Sequence, residues 1–285
     1  MSYVVEASGL SKSYGKFKAL KNVNVNIERG KIVGVVGANG AGKSTMLNAI
    51  LGLSKYEGSL KVLGQDPSTD RASLMENVSF ISDVATLPRW MKVYQVLDFV
   101  EGVHNNFDRD LALSYLAKTK IPLDKKIKGL SKGMVTQLHL AVVMAIKADL
   151  LVLDEPTLGL DILFRKRFYE SVLEDYFDHD RTILITTHQV EEVESILTDA
   201  LFIKDGEMVL YNTMEEIEQE FAMVTVENDM KEKAEALNPI YSSGMMGMTS
   251  YVFDKANEKD LAGLGKVKKV GLADLFVAIM SGDEE

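Results

Sequence analysis

The chain contains no cysteine among its 285 residues. Without a thiol it forms neither a disulfide nor a thiolate metal site, as is usual for a protein of a reducing compartment. It also lacks any run of about 18 or more apolar residues, and its first residues, Met-Ser-Tyr-Val-Val-Glu, do not have the layout of a signal peptide. We therefore expect a chain that neither spans a membrane nor is exported.

Positive charge is scarce relative to negative charge. The sequence has 32 Lys and Arg against 42 Asp and Glu, a formal charge of −10 and a pI near 5.1. No basic stripe that could neutralise phosphates is visible, which argues against nucleic acid as a main partner. An apolar fraction of 46% is ordinary for a globular protein. The length suits one sizeable core with a small appendage, or two modest domains.

The most informative segment that is present is a glycine-rich loop at residues 37–45. It reads Gly-Ala-Asn-Gly-Ala-Gly-Lys-Ser-Thr and lies between an apolar, β-branched run and a segment of helix-forming composition. A strand before and a helix after distinguish a phosphate-binding loop from a chance glycine-rich turn. Backbone N–H groups and the helix N-terminus can then bind phosphate oxygens. The residues expected to bind a nucleoside triphosphate are Gly37, Ala38, Asn39, Gly40, Ala41, Gly42, Lys43, Ser44 and Thr45.

Within this loop, Lys43 is expected to reach the β- and γ-phosphates, and Ser44 to ligate Mg²⁺. A second motif is the apolar run at residues 149–156, which ends in Asp154 and Glu155. Ligands of open α/β sheets gather at the carboxyl ends of the strands. We expect Asp154 to hold Mg²⁺, directly or through water, and Glu155 to polarise a water for attack on the γ-phosphate.

Two weaker motifs surround the second one. Residues 130–134, Leu-Ser-Lys-Gly-Met, precede a helical stretch, so Ser131 offers a hydroxyl at a helix start. Alone, this pattern would be interpreted as an ordinary helix cap. His188 follows a buried, β-branched strand at residues 182–187. A lone histidine there is usually structural, but this one falls on the edge of the sheet where phosphates bind.

Taken in order, residues 37–45, 130–134, 150–156, 159–161 and His188 resemble the nucleotide-binding subunit of an ABC transporter. The resemblance covers residues 2 to about 221. It implies an α/β P-loop NTPase core, in which a RecA-like parallel sheet carries an antiparallel β subdomain and a helical subdomain. We expect an ATP-binding domain at 1–221, with the helical subdomain at about 84–146, and a small α+β domain at 222–285.

The resemblance also assigns roles. Tyr14 matches the aromatic residue that stacks on adenine, although a plain exposed strand tyrosine is the alternative. His188 matches a switch histidine at the γ-phosphate. Ser131 and Gly133 match a signature that binds the γ-phosphate held by a second subunit. Asp161 matches a loop that touches the second subunit's P-loop. Two copies, or two related subunits, would then enclose two ATP molecules.

Three positions depart from the family pattern. Asp83 lies where glutamine or glutamate is common in the loop that senses the permease; it can still ligate Mg²⁺ through water, with a shorter reach. Lys132 replaces the second glycine of the signature, and Gln137 replaces a frequent arginine. None of these changes removes a group needed for hydrolysis.

The segment at residues 85–107 lies where the family's helical subdomain meets its membrane partner, and it holds the only tryptophan, Trp90. Its aromatic residues suit either an interface core or packing inside the subdomain. We expect an ATPase subunit at the cytoplasmic face of the membrane that powers a separate permease. The variant signature resembles those of drug, peptide, lipid or antibiotic exporters. The alternative is an ABC-type ATPase acting on nucleic acid or ribosomes; the single ATPase core, the lack of room for a coiled-coil insertion and the acidic charge disfavour it.

Overall fold

The computed structural model describes residues 3–82, 87–157, 160–177, 180–245, 247–255, 261 and 263–281. Helices and strands alternate along most of the chain. The strands are β1 (Tyr3–Tyr14), β2 (Phe17–Glu28), β3 (Ile32–Val36), β4 (Glu57–Val62), β5 (Val78–Ile81), β6 (Leu150–Asp154), β7 (Thr182–Thr187), β8 (Asp199–Lys204), β9 (Glu207–Thr213), β10 (Phe221–Glu227), β11 (Tyr241–Met245), β12 (Met248–Asp254) and β13 (Lys266–Lys269). The helices are α1 (Lys43–Ile50), α2 (Arg71–Leu74), α3 (Val93–Val103), α4 (Arg109–Ala117), α5 (Lys132–Met144), α6 (Ile162–Ser171), α7 (Met214–Glu220), α8 (Lys231–Glu235) and α9 (Leu272–Ser281).

A six-stranded sheet forms the centre of the molecule, in the order β5-β6-β7-β3-β8-β9. Its first five strands are parallel and only β9 is antiparallel, paired with β8. Strands β3, β6 and β7 are buried along almost their whole length. Apolar, β-branched strands of this kind are expected in a parallel sheet that is covered on both faces. The carboxyl ends of β3, β6 and β7 therefore meet at one edge.

A three-stranded antiparallel sheet, in the order β2-β1-β4, lies beside the P-loop. Its β1–β2 hairpin places Tyr14 opposite Phe17. The hairpin approaches the P-loop closely near its tip, because a Cβ on Gly42, whose φ is +114°, would lie 2.6 Å from the backbone oxygen of Ala19. Gly206 also bridges the two parts: its N–H donates to Ala41 O over 2.9 Å, and its carbonyl accepts from Lys21 N over 2.7 Å. Small residues thus hold the hairpin at a fixed distance from the loop.

Helices α3, α4 and α5 are inserted between β5 and β6. Their inner side chains, among them Val96, Leu116 and Leu138, belong to the same apolar cluster as Leu151 and Ile183 of the central sheet. This insertion occupies the chain positions where the helical subdomain was expected. The aromatic side chains of its first part do not pack inside it, since Trp90 is 69% exposed and Phe99 54% exposed. The alternative that the aromatic side chains pack inside the helical subdomain is therefore wrong for Trp90 and Phe99.

The last part of the chain forms a four-stranded antiparallel sheet, β11-β12-β10-β13, followed by α9. Leu272 and Leu275 of α9 pack in the same cluster as Phe202 of the central sheet. Leu272 N also donates to Glu194 Oε1 over 2.7 Å, and Lys204 Nζ donates to Ile279 O over 3.1 Å. The expected fold class is confirmed. The domain boundary between residues 221 and 222 stays a prediction. Strand β10 begins at this boundary.

No helix in the described part of the chain is long and apolar enough to cross a membrane.

Candidate functional site

A cavity of about 510 Å³ opens at the carboxyl edge of the central sheet, between the P-loop and the tip of the β1–β2 hairpin. The residues around it come from four separate parts of the chain. They are Tyr14, Phe17, Ala19, Asn39, Gly40, Gly42, Lys43, Ser44, Thr45, Asp154, Glu155 and His188. The structure thus brings most of the residues selected from the sequence to one place.

Lys43, the first residue of α1, is the buried cation of the cavity. Its Nζ donates to the carbonyl oxygens of Gly37, over 2.7 Å, and Ala38, over 3.1 Å. Gly37 and Ala38 therefore lie in direct contact with the ammonium group of Lys43. Burial lowers the pKa of Lys43, while the carboxylates of Glu155 and Asp154 act in the opposite direction. An anionic ligand would stabilise the charge that burial disfavours.

Oxygen atoms converge beside this lysine. Ser44 Oγ donates to Asp154 Oδ1 over 3.3 Å, and Thr186 Oγ1 donates to the same carboxylate oxygen. Thr186 lies opposite Asp154 in the parallel register of β6 and β7 and is fully buried. It was not selected from the sequence, although the register of two adjacent strands would have shown it. Hydroxyl and carboxylate oxygens are the donors that Mg²⁺ prefers, so the donor set fits that ion.

Glu155, directly after β6, is paired with His188, directly after β7. His188 Nδ1 lies 2.9 Å from Glu155 Oε2. Because a carboxylate only accepts, the proton of this hydrogen bond lies on Nδ1. The backbone of Glu155 has a φ of 49°, and its N–H donates to Thr186 O over 3.1 Å. A left-handed conformation is uncommon for glutamate, and such residues concentrate at functional sites.

Two exposed aromatic side chains stand at the mouth of the cavity. Tyr14 is 51% exposed and Phe17 is 61% exposed. The Nζ atom of Lys12 lies 4.9 Å from the centre of the Tyr14 ring. Exposed aromatic rings are what a planar base can stack on. Tyr14 was selected from the sequence but Phe17 was not. Phe17 lies across a four-residue turn from Tyr14, and this position could have identified it.

Ser131, Gly133 and Asp161 do not line this cavity. Ser131 is the N-cap of α5, where its Oγ accepts from Met134 N over 3.2 Å, and Asp161 is the N-cap of α6, where its Oδ1 accepts from Phe164 N over 2.9 Å. Both side chains are exposed. The nearest atom to a Cβ built on Gly133 is 4.0 Å away. These residues are therefore available to a ligand or a partner, and they do not share the cavity of their own chain. Asp83 lies outside the described residues.

Arg165 of α6 connects the loop before that helix with the segment after His188. Its Nε donates to Leu160 O over 2.9 Å, next to Asp161. Its NH1 group donates to Gln189 Oε1 and, over 2.6 Å, to Glu192 Oε1. The side chain is 18% exposed, so these contacts are well shielded from water. No motif in the sequence pointed to Arg165.

A glycine-rich loop between β3 and α1, a buried lysine, and a strand-end carboxylate beside the loop's hydroxyl define a P-loop nucleotide-binding protein. A family model described as "ABC transporter" matches residues 20–158. The lantibiotic transport ATP-binding protein SrtF of Streptococcus pyogenes is 34% identical over 224 residues, which are 76% of this chain and 96% of that protein. The bicarbonate transport ATP-binding protein CmpD of Synechocystis is 31% identical over 205 residues, or 70% of this chain and 69% of that one.

The same similarity is found in three dimensions. The structure of cbiO1 from Clostridium perfringens, described as part of the ABC transporter complex cbiONQ, is 27% identical, with a TM-score of 0.64 over 76% of this chain and 91% of that one. The chain belongs to the ATP-binding proteins of ABC transporters. Proteins of this family hydrolyse ATP to power transport.

Proposed function

We propose that this chain binds ATP and Mg²⁺ in the cavity at the sheet edge. It hydrolyses the ATP, releasing the γ-phosphate, with Glu155 and His188. In this proposal Lys43 and the backbone of residues 37–45 hold the phosphates, while Tyr14 and Phe17 contact the base. Ser44 and Asp154 hold Mg²⁺, and Asp83 contributes through water. The domain formed by residues 1–221, with its helical subdomain at about 84–146, carries this chemistry, and residues 222–285 form a second, small domain.

The proton acceptor in this proposal is Glu155. Its carboxylate is held by the N–H of His188 over 2.9 Å at one oxygen, which leaves the other oxygen to accept a proton from water. Lys43 contributes a buried positive charge next to the carboxylates. When bound, Mg²⁺ supplies charge neutralisation for the phosphate oxygens. On release of its hydrogen bonds to Gly37 O and Ala38 O, Lys43 can donate to the phosphates instead.

Completion of the site by a second ATPase subunit is also part of the proposal. Ser131 and Asp161 are exposed, Gly133 is half-buried, and all three lie away from the cavity of their own chain, which suits contacts to the nucleotide and P-loop of a partner. A two-fold arrangement lets each chain complete the other's site with the same surface.

The chain further acts with a separate permease at the cytoplasmic face of the membrane, and the direction of transport is export. The relatives above are named as transport subunits, and cbiO1 is described as part of a transporter complex. Export is supported by the signature Leu-Ser-Lys-Gly-Met, which resembles those of exporters. No observation favours nucleic acid or ribosomes as the target.

The pairing of Glu155 with His188 beside Lys43 is the observation that carries the proposal, and substitution of Glu155 tests it. Glu155→Gln keeps the shape of the side chain but cannot take a proton. We expect binding of a fluorescent ATP analogue with Mg²⁺ to stay within about twofold of wild type, and turnover to fall by at least about a hundredfold. Hydrolysis within threefold of wild type at saturating ATP would exclude Glu155 as the acceptor.

Lys43→Ala is the companion variant. It removes a charge that pairs with phosphate, so we expect ATP affinity itself to fall by at least about tenfold. Unchanged affinity in Lys43→Ala would contradict the proposed phosphate site and with it the proposed function.

A further inference from the structure

The hydroxyl of Thr186, near the carboxyl end of β7, lies between the two acidic residues of the cavity. Its side chain is fully buried, and it lies opposite Asp154 in the parallel register of β6 and β7. Its Oγ1 donates to Asp154 Oδ1. The same Oγ1 accepts from the backbone N–H of Glu155 over 3.2 Å. One hydroxyl therefore contacts the side chain of one acidic residue and the backbone of the next.

The direction of both hydrogen bonds is determined by the chemistry of the two partners. A carboxylate only accepts and a backbone N–H only donates, so the single proton of the Thr186 hydroxyl points to Asp154 and a lone pair points to Glu155. Because the side chain is fully buried, bulk water does not compete for either contact. The hydroxyl thus has one orientation, which couples the position of the Asp154 carboxylate to that of the Glu155 backbone.

The backbone of Glu155 depends on this contact more than an ordinary strand end would. Its φ of 49° is left-handed, and such a conformation persists where the surrounding structure holds it. The N–H of Glu155 has two acceptors on the same residue, the carbonyl oxygen of Thr186 at 3.1 Å and Oγ1 at 3.2 Å. From this backbone position the Glu155 side chain reaches His188, whose Nδ1 lies 2.9 Å from Oε2.

From these contacts we propose that Thr186 is a positioning residue for both carboxylates. Through its hydroxyl it orients Asp154 for Mg²⁺ and Glu155 for the attacking water. The inference rests on the proposed function, which gives those two carboxylates their roles. Partners that orient a metal ligand are worth about 10–100-fold in metal affinity or activity, and a displacement of about 1 Å at a reacting group can cost roughly a hundredfold in rate. The alternative is that the hydroxyl only satisfies a buried backbone group.

Strand β7 offers a matched control for that alternative. Thr182, at the amino end of β7, is also fully buried, and its Oγ1 accepts from Gly30 N over 3.0 Å. It does not line the cavity. Thr186→Val and Thr182→Val each keep the shape of the side chain and remove one buried hydroxyl that accepts from a backbone N–H, so urea denaturation should show a similar loss of stability in both. Thr186→Ser keeps the hydroxyl.

The first measurement is metal binding, with Mn²⁺ as the probe and adenylyl imidodiphosphate as a nucleotide that is not hydrolysed. Electron paramagnetic resonance measures the free Mn²⁺. We expect the affinity for Mn²⁺ to fall by about tenfold in Thr186→Val, because Asp154 loses one of the two hydroxyls that orient it. Affinity for the analogue in the presence of EDTA should stay within about twofold of wild type, since Lys43 and its loop are unchanged.

The second measurement is turnover at saturating ATP and saturating Mg²⁺, where weaker metal binding no longer limits the rate. We expect kcat of Thr186→Val to fall by about tenfold through the displaced Glu155. Thr186→Ser should recover both metal affinity and kcat to within about threefold of wild type, and Thr182→Val should change neither by more than about twofold.

The Glu155→Gln background separates the two effects. There the proton acceptor is already lost, so adding Thr186→Val should lower the single-turnover rate by less than about twofold, while the affinity for Mn²⁺ should still fall by about tenfold. Independent, multiplied losses of rate in the double variant would show that Thr186 does not act through Glu155.

Four other outcomes would overturn the proposal. They are a kcat of Thr186→Val within twofold of wild type, an affinity for Mn²⁺ within twofold, an equal loss in Thr182→Val, and no recovery in Thr186→Ser. If Thr186→Val does not fold, Thr186→Ala takes its place with the same expectations. Activity of Glu155→Gln near that of wild type would refute the proposed function itself, whereas an inactive Glu155→Gln beside a fully active Thr186→Val refutes only the role of Thr186.

Discussion

At the scale of single residues, the chemistry of the cavity depends on short contacts between neighbouring strand ends. Asp154 accepts hydrogen bonds from Ser44 of the P-loop and from Thr186 of the adjacent strand, so its carboxylate is oriented from two sides. Glu155, one residue later, turns away through its left-handed backbone and contacts His188. Two adjacent carboxylates therefore have different partners, which allows one to hold a cation and the other to accept a proton.

Phe17 carries a prediction at this scale. Its exposed ring lines the same cavity as Tyr14, so we expect Phe17→Ala to weaken ATP binding by about five- to tenfold through loss of base contact. Affinity for tripolyphosphate, which has no base, should not change. Titration with a fluorescent ATP analogue, competed by each ligand, measures both. The conservative variant Phe17→Tyr should restore binding, and an equal loss for tripolyphosphate would show that Phe17 instead supports the P-loop.

A second prediction at the scale of single residues concerns Arg165. It joins the carbonyl before Asp161 to the residue after His188, so we expect Arg165→Ala to loosen His188 and to lower kcat by about tenfold with little change in KM. Arg165→Lys should recover part of the rate. The control on the same helix is Arg167→Ala, whose side chain is exposed. A rise in KM without a fall in kcat, or an equal effect of Arg167→Ala, would contradict a positioning role for Arg165.

The residues that could be predicted from the sequence share a property. Lys43 and Ser44 lie in a contiguous motif, and Asp154, Glu155 and His188 follow apolar runs whose strand ends must meet in a parallel sheet. Phe17, three residues after Tyr14, was also within reach of the sequence, whereas Thr186 required the register of two strands and Arg165 required the packing of a helix against a distant loop. Composition and spacing along one chain do not contain such pairings, because they are decided by tertiary packing.

At the scale of elements, the helix α9 decides how the C-terminal sheet is held. Its inner residues Leu272, Leu275 and Ala278 are fully or almost fully buried and share a cluster with the central sheet, whereas Val277 on the opposite face is 42% exposed. An α+β arrangement was expected in this part of the chain, and strand β13 and helix α9 are its last elements. Their docking was not predictable, because an apolar stripe identifies the buried face of a helix but not the surface that covers it.

The expected consequence is a difference between two substitutions on this one helix. Leu275→Ala should lower the free energy of unfolding by about 2–5 kcal/mol, because it leaves a cavity in the shared core. Val277→Ala should change it by less than about 0.5 kcal/mol. Urea denaturation followed by circular dichroism measures both. If Leu275→Ala gave a separate early transition while the rest of the chain unfolded as in wild type, the C-terminal region would be an independent folding unit and its docking would contribute little.

At the scale of the whole molecule, the surface outside the cavity is where the sequence was least informative. Residues 89–94 and 123–128 are about 30 residues apart along the chain, yet backbone hydrogen bonds pair them, and no pattern in the sequence indicated this pairing. In the same way, Ser131 and Asp161 look like ordinary helix caps until their distance from the cavity of their own chain is known. Assembly therefore has to be tested on the intact chain.

If two chains enclose the nucleotide, ATP that cannot be hydrolysed should drive association by mass action. We expect Glu155→Gln with MgATP to sediment at twice the 31.6 kDa of the chain and, without nucleotide, mainly as a monomer. Adding Ser131→Arg in the same background should prevent the shift, because the larger cationic side chain occupies the proposed contact. Ser114→Arg, an exposed serine on α4, is the matched control and should still associate. The same mass with and without MgATP in Glu155→Gln would contradict the two-chain site, and a dimer that persists without nucleotide would indicate a constitutive contact through another surface, such as the C-terminal sheet.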